Sequence, residues 1–333
     1  MANVGSSNKV CKQAHIKLEV VLFMYLWSIE IESVLTAMSC FEFLCEEADI
    51  LYCGDEQVIH LHLPNYAVYQ EIASAYKDLT TGRAALQKKI MPMLRKIGEP
   101  TDGNKQAWNT TFTKIWKKST DFLQHFPHKV DGGMTMKKRA HTQNEHELDD
   151  QLHEWVNMTG FLLALGSVCL VKSERSSDTQ YCPVTEFISH LLKLLVCNND
   201  KFGPQIQTHV KDLVANELNP AIYPILFEQI KLDVIVNEVN TQYIENVIFI
   251  MKVIMVQYKS DEGGEHLGQT TIEPLMLSIV RYVRYLGDEP DDIKIKTKLC
   301  NLVKVMMSRR DDLTFRQEMK FRNKLVEYLT GTL

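Results

Sequence analysis

The sequence predicts an all-α protein built as a HEAT/armadillo-like helical-repeat solenoid. Three observations carry that expectation. Apolar residues recur at helical spacing along the whole chain, Gly (15) and Pro (10) are sparse among 333 residues, and no stretch of strand propensity has a partner strand. The helical stretches pair at roughly 40 residues per pair without a strict sequence repeat, the spacing of α-solenoids. A compact irregular helical domain is the alternative. Apolar stripes that continue to both termini, without a polar capping helix, mark the chain as a segment of something longer.

Residues 12–28 and 31–48 read as two helices, the second with Val34, Met38, Phe41 and Cys45 in register. Glu46, Glu47 and Asp49 end it in acid, the wrong sign for its dipole, as a solvated terminus does. Cys53-Gly54-Asp55 turns the chain into a short helix reaching Leu63, and Pro64-Asn65 punctuates the start of another that runs to about Lys77. Thr81-Gly82 opens a helix that Pro92 should kink. After a loop at 98–103, a helix with Trp108, Phe112, Ile115, Trp116 and Phe122 stops at Pro127.

Residues 128–145 lack periodicity and hold a Gly pair and the cluster Lys137-Lys138-Arg139. They read as a mobile loop dividing the chain into helical segments 1–127 and 146–333. Thr142, three residues after Arg139, suits a basophilic kinase if that loop is accessible.

A long helix is expected from Glu147 to Val171. Its uncharged run Trp155–Val171 is just too short for a bilayer crossing, so burial among neighbouring helices explains it, and no transmembrane segment is expected. After a polar loop at 172–181, Pro183 begins a helix carrying Phe187, Leu191, Leu194 and Leu195. Helices at about 204–217 and 220–232 follow, the second capped by Asn219 with Pro220 in its first turn. Val234-Ile235-Val236 has strand propensity but no partner, and reads as a connector. The helix at 240–258 has a clean stripe of Ile244, Val247, Ile248, Met251, Ile254, Met255 and Tyr258. Thr270 with Glu273 forms a capping-box pattern for a helix through Leu286, and Pro290 opens the next.

For chemistry the chain offers little. The overall charge of −5 argues against a nucleic-acid partner. Eight cysteines without a CxxC or an even spacing read as free buried thiols of a cytosolic protein, Cys40, Cys45 and Cys300 within apolar helical patterns. His146, Asp149 or Asp150, and His153 would share a helix face, but Asp150 stands where HExxH needs its second His. A solvated helix start is the expectation there, with no metal. GxSxG, GxxxxGK[ST] and GxGxxG are all absent, so neither a catalytic residue nor a cofactor is expected.

Surface charge is what remains. Residues 291–330 hold ten Lys/Arg against six Asp/Glu, a net +4 within the overall −5, so the remainder carries −9. Lys294 and Lys298 lie beside an apolar stripe of Ile295, Leu299, Leu302, Val303 and Met306; Arg316, Lys320 and Lys324 recur every four residues beside Phe315, Met319, Val326 and Leu329. A basic face of this kind fits an acidic partner such as another protein, tubulin's acidic tails or an anionic membrane.

Long strings in a fixed order resemble the neurofibromin family of Ras GTPase activators: KQAHIKLEV, AMSCFEFLCEEADI, LPNYAVYQE, TGRAALQKK, EWVNMTGFLLALGSVCL, VKDLVANELNPAIYPILF, EHLGQTTIEPLMLSIVRYVRYLG, and above all IKIKTKLCNLVKVMMSRRDDLTFRQEMKFRNKLVEYLT. The resemblance implies a cytoplasmic, all-helical scaffold lying just before the GAP-related catalytic domain, in a protein that down-regulates Ras signalling. It further implies homodimerisation through helical arms of the full protein and an association with tubulin near the catalytic domain. The rest of such a chain, including its GAP domain, would be the first partner, and Ras would be met only through that domain. Departures are plain. No FLR-type stretch supports an arginine finger, the family's lipid-binding module is missing, and the loops at 128–145 and 172–181 are shorter than the family's serine-rich ones. A fragment or partial gene product is the expectation, its basic C-terminal face turned toward the missing domain.

Overall fold

A computed structural model describes the backbone of residues 2–78, 82–124, 138–170, 182–199, 201–236, 241–257 and 272–308, with isolated positions between 323 and 330. The side chains of 2–11, 122, 124, 138–145, 235 and 236 lie outside the description. All regular structure among the described residues is helical. The chain forms two compact units, Met1–Tyr181 and Cys182–Leu333.

In the first unit the helices are α1 (Ala2–Tyr25), α2 (Ile31–Leu51), α3 (Glu56–His62), α4 (Tyr66–Ala75), α5 (Arg83–Arg95), α6 (Asp102–Thr110), α7 (Lys117–Gln124) and α8 (Lys138–Leu165). A π-helical stretch, Thr111–Trp116, joins α6 to α7. The expected stripe of α2 is buried, Val34, Met38, Phe41 and Cys45 included, and packs mainly on α4. Phe23, Phe41 and Tyr69 meet there with ring centroids 5.1–5.9 Å apart, which ties α1, α2 and α4 together. Burial pushes the Cys45 thiol up to about 12, as expected of an inert core cysteine. The α5 helix continues through Pro92 to Arg95, with the proline on its exposed side.

Tryptophans organise the other half of this unit. Trp108 Nε1 donates to the Leu162 carbonyl at 2.9 Å, Trp116 Nε1 to Thr159 Oγ1 at 2.9 Å, and Trp155 Nε1 to Thr120 Oγ1 at 3.3 Å. Each indole thus buries its ring while its N–H stays paired. This explains the uncharged run: Met158 to Leu165 is buried on every side, as expected. It also corrects the division of the chain. The expected loop at 128–145 is helical from Lys138, and α8 packs back on α5 and on the π-helical stretch, so the boundary between units falls after Tyr181.

The second unit contains α9 (Pro183–Lys193), α10 (Gly203–Glu217), α11 (Tyr223–Val236), α12 (Thr241–Gln257), α13 (Ile272–Arg284) and α14 (Pro290–Ser308). Its packing runs between second neighbours: α9 on α11, α11 on α13, α10 on α12, and α12 on α14. Odd and even helices therefore form two layers, each apolar stripe facing the core between them. Asn219 caps the 3₁₀ turn Pro220–Ile222 that leads into α11, its side chain accepting from Ala221 N at 3.0 Å. Val234 to Val236 is the last turn of α11 rather than a connector, because a β-branched run joins a helix when tertiary packing favours it. The stripe of α12 is buried through Met255; Tyr258 and Thr270 lie outside the described residues. No described helix is long and apolar enough to cross a membrane.

Candidate functional site

The basic face begins on α14. Lys294 is exposed and lies 3.6 Å from Asp291, one turn earlier on the same helix. Lys298 instead forms an ion pair with Glu245 of α12, so its charge serves the packing of α14 on its neighbour. Ile295, Leu299, Leu302 and Met306 are buried as expected, and Val303 half-buried. Cys300 departs from expectation. Next to Leu299 in sequence, it sits about 100° further round the helix and is exposed. Arg316, Lys320 and Lys324 lie outside the described residues. So does the side chain of Thr142, whose backbone belongs to α8 and not to a loop.

His146, Asp149, Asp150 and His153 are all exposed on the first half of α8. The His153 ring turns toward its own helix, with Nδ1 at 2.7 Å from the Asp149 carbonyl and 3.7 Å from its carboxylate. Among the described residues no group of three or more His, Cys, Asp or Glu is arranged to hold a metal ion.

The most elaborated polar site is one that the sequence did not announce. Glu19, in the last third of α1, is 3% exposed. Tyr69 Oη of α4 donates to its Oε1, and Thr101 Oγ1 donates to the same oxygen at 2.6 Å. Thr101 is also the N-cap of α6: its Oγ1 accepts from Asn104 N at 3.0 Å, while Asn104 Oδ1 accepts from Thr101 N at 2.9 Å, a reciprocal capping box. Asn104 Nδ2 and Asn65 Nδ2 both donate to the Glu99 carbonyl, at 3.0 and 2.8 Å, and hold the loop in place. The carboxyl group thus sits against the N-cap of α6.

Contact with α6 is close enough to dictate a residue. A Cβ built on Gly103 would lie 2.1 Å from Glu19 Oε2 and 2.7 Å from Glu19 Cβ, so only glycine fits at that position. Burial raises the Glu19 carboxyl above its ordinary value; the hydrogen bonds from Thr101 and Tyr69 pull against that rise. Burial first, then the charge and hydrogen bond of Glu19, hold the Tyr69 phenol well above its ordinary value. Chemically, this is a staple across α1, α4 and α6. Its acceptor oxygen is already engaged by two hydroxyls of the chain itself.

A half-buried cation lies at the start of α5. Arg83 donates from Nε to the Ser28 carbonyl at 2.6 Å and from Nη2 to the Leu26 carbonyl at 3.0 Å, closing the carbonyl end of the α1 segment. Burial lowers its guanidinium to about 10, and its Nη1 is buried without a partner. Neither Glu19 nor Arg83 carries a motif; each is found only once helices distant in sequence are brought together. No protein-family model matches the chain.

Proposed function

We propose that the chain is a non-catalytic helical scaffold segment of a neurofibromin-like negative regulator of Ras signalling, acting in the cytoplasm and leaving the catalytic step to a separate GAP-related domain. The observation that carries this reading is the series of long matching strings, above all the one from Ile293 to Thr330. The second-neighbour packing of α9 to α14 is in keeping with stacked helix pairs of the HEAT/armadillo kind. The chain lacks an FLR-type stretch to support an arginine finger, and the most buried carboxylate among the described residues is engaged in joining helices.

Two measurements test the proposal. The purified chain leaves GTP hydrolysis by Ras at its intrinsic rate; acceleration overturns the non-catalytic assignment. Titrated calorimetrically with a separately purified GAP-related domain of a neurofibromin, it binds, and R316E/K320E/K324E weakens that binding. Absence of heat with that domain removes the scaffold reading. Pelleting with microtubules that is lost in the same triple variant would transfer the basic face to tubulin.

A further inference from the structure

Between Lys17 and Lys77 the chain has ten Asp/Glu and no Lys or Arg. The same stretch holds nine of the fourteen exposed large apolar side chains among the described residues. A surface both anionic and apolar is unusual, since exposed apolar side chains on a lone helix face normally give way to polar ones.

The two properties coincide on α2. Its buried stripe of Val34, Met38, Phe41 and Cys45 faces α4. At about 100° per residue, Phe43 and Ile50 fall together on the opposite side, two turns or about 10.5 Å apart. They are 61% and 77% exposed. Glu42 and Glu46 flank this line on one side and Glu47 on the other, all exposed. Leu51 at the end of α2 and Leu61 on α3 are exposed as well, and the Tyr52 and His62 rings stack with 4.6 Å between centroids, which holds α3 against that end.

We infer that the outer face of α2 is a docking surface for a cationic amphipathic helix of a partner protein. Apolar side chains two turns apart offer a ridge on which such a helix lays its own stripe. Carboxylates on both flanks select Lys and Arg beside that stripe and repel nucleic acid and anionic lipid. The inference does not depend on the family reading, and it concerns the acidic stretch between Lys17 and Lys77 rather than the basic C-terminal one.

The probe is a fluorescent eighteen-residue helix of Leu and Lys in amphipathic order, followed by anisotropy at physiological ionic strength. The wild-type chain binds it, and the same peptide with Glu for Lys does not bind. F43S/I50S weakens binding at least about tenfold at unchanged charge, and E46Q/E47Q does likewise. Thermal melts of both variants stay close to the wild type: Phe43 and Ile50 are exposed, and the solvent-exposed pair of Glu47 with His15 of α1, 3.3 Å apart, contributes little. Wild-type chain that ignores the peptide overturns the inference, as does F43S/I50S that binds as well as wild type. A concentration-dependent dimer in sedimentation, abolished by F43S/I50S, would make a second copy the occupant and overturn it equally.

Discussion

Gly103→Ala is the sharpest test of the Glu19 staple. In most helices this substitution stabilises, by up to about 1 kcal/mol, since alanine loses less backbone entropy than glycine. Here the new methyl would sit 2.1 Å from Glu19 Oε2 and 2.7 Å from Glu19 Cβ. A shift at the Cβ cannot be absorbed by rotating the carboxylate alone, so α1 and α6 must separate or Glu19 must leave its partners. Overpacking of this kind costs about 1–3 kcal/mol, and each hydrogen bond lost from a charged group about 1.5–3 kcal/mol. Set against the alanine gain, Gly103→Ala should destabilise the chain by about 1–4 kcal/mol. With Glu19→Ala the carboxylate is gone but a Cβ remains 2.7 Å from the new methyl, so Gly103→Ala should still destabilise, by clearly less than in wild type. Urea unfolding followed by far-ultraviolet circular dichroism on the four members of this cycle measures the coupling directly. A Gly103→Ala effect of the same sign and size in both backgrounds would refute the packing argument.

Three further outcomes are expected. Because the folded state raises the Glu19 carboxyl above its ordinary value of 4.5, the neutral form suits the fold best. Its stabilisation is complete below 4.5 and fades as pH climbs through the folded value, so the stability of wild type relative to Glu19→Gln should rise as pH falls from 7 to 5. Urea titrations at the two pH values read the difference, and a flat or opposite trend rejects the assignment. Gly82 caps α5 at φ +62° and ψ 155°, a region nearly closed to side chains, so Gly82→Ala should cost about 1–3 kcal/mol although open space surrounds the new methyl. Lys298→Glu, placed against Glu245, should lower stability by up to about 1 kcal/mol, and adding Glu245→Lys should restore it; failure of the swap to rescue would remove the pair from the packing of α14 on α12.

What could be read from the sequence is what local periodicity controls. The stripes of α2, α9, α12 and α14 predicted their buried faces, with Val303 only half-buried, because a 3.6-residue period leaves little choice of side to bury. The Asn219 cap was readable for the same reason, as a short polar side chain that meets a backbone N–H two residues on, whereas the Thr101 cap lay within what read as a loop. Periodicity fails where burial depends on distant partners. Glu19 looks like a surface acid until Tyr69 and Thr101, 50 and 82 residues away, close over it. The polar start of α8 resembled a loop because a helix without a stripe shows no period. Cys300 was assigned to the core on the strength of its neighbours, although adjacent positions on a helix point in different directions.

All four tryptophans, Trp27, Trp108, Trp116 and Trp155, belong to the unit that ends at Tyr181. Trp108, Trp116 and Trp155 are fully enclosed, with Trp116 and Trp155 stacked 6.4 Å apart. Intrinsic fluorescence excited at the indole band is therefore a built-in label for one half of the molecule and is silent about the other. Dichroism sums helices from both units. If the two signals are lost at the same urea concentration, the units melt as one cooperative body; if indole emission shifts at its own midpoint, each half folds on its own terms.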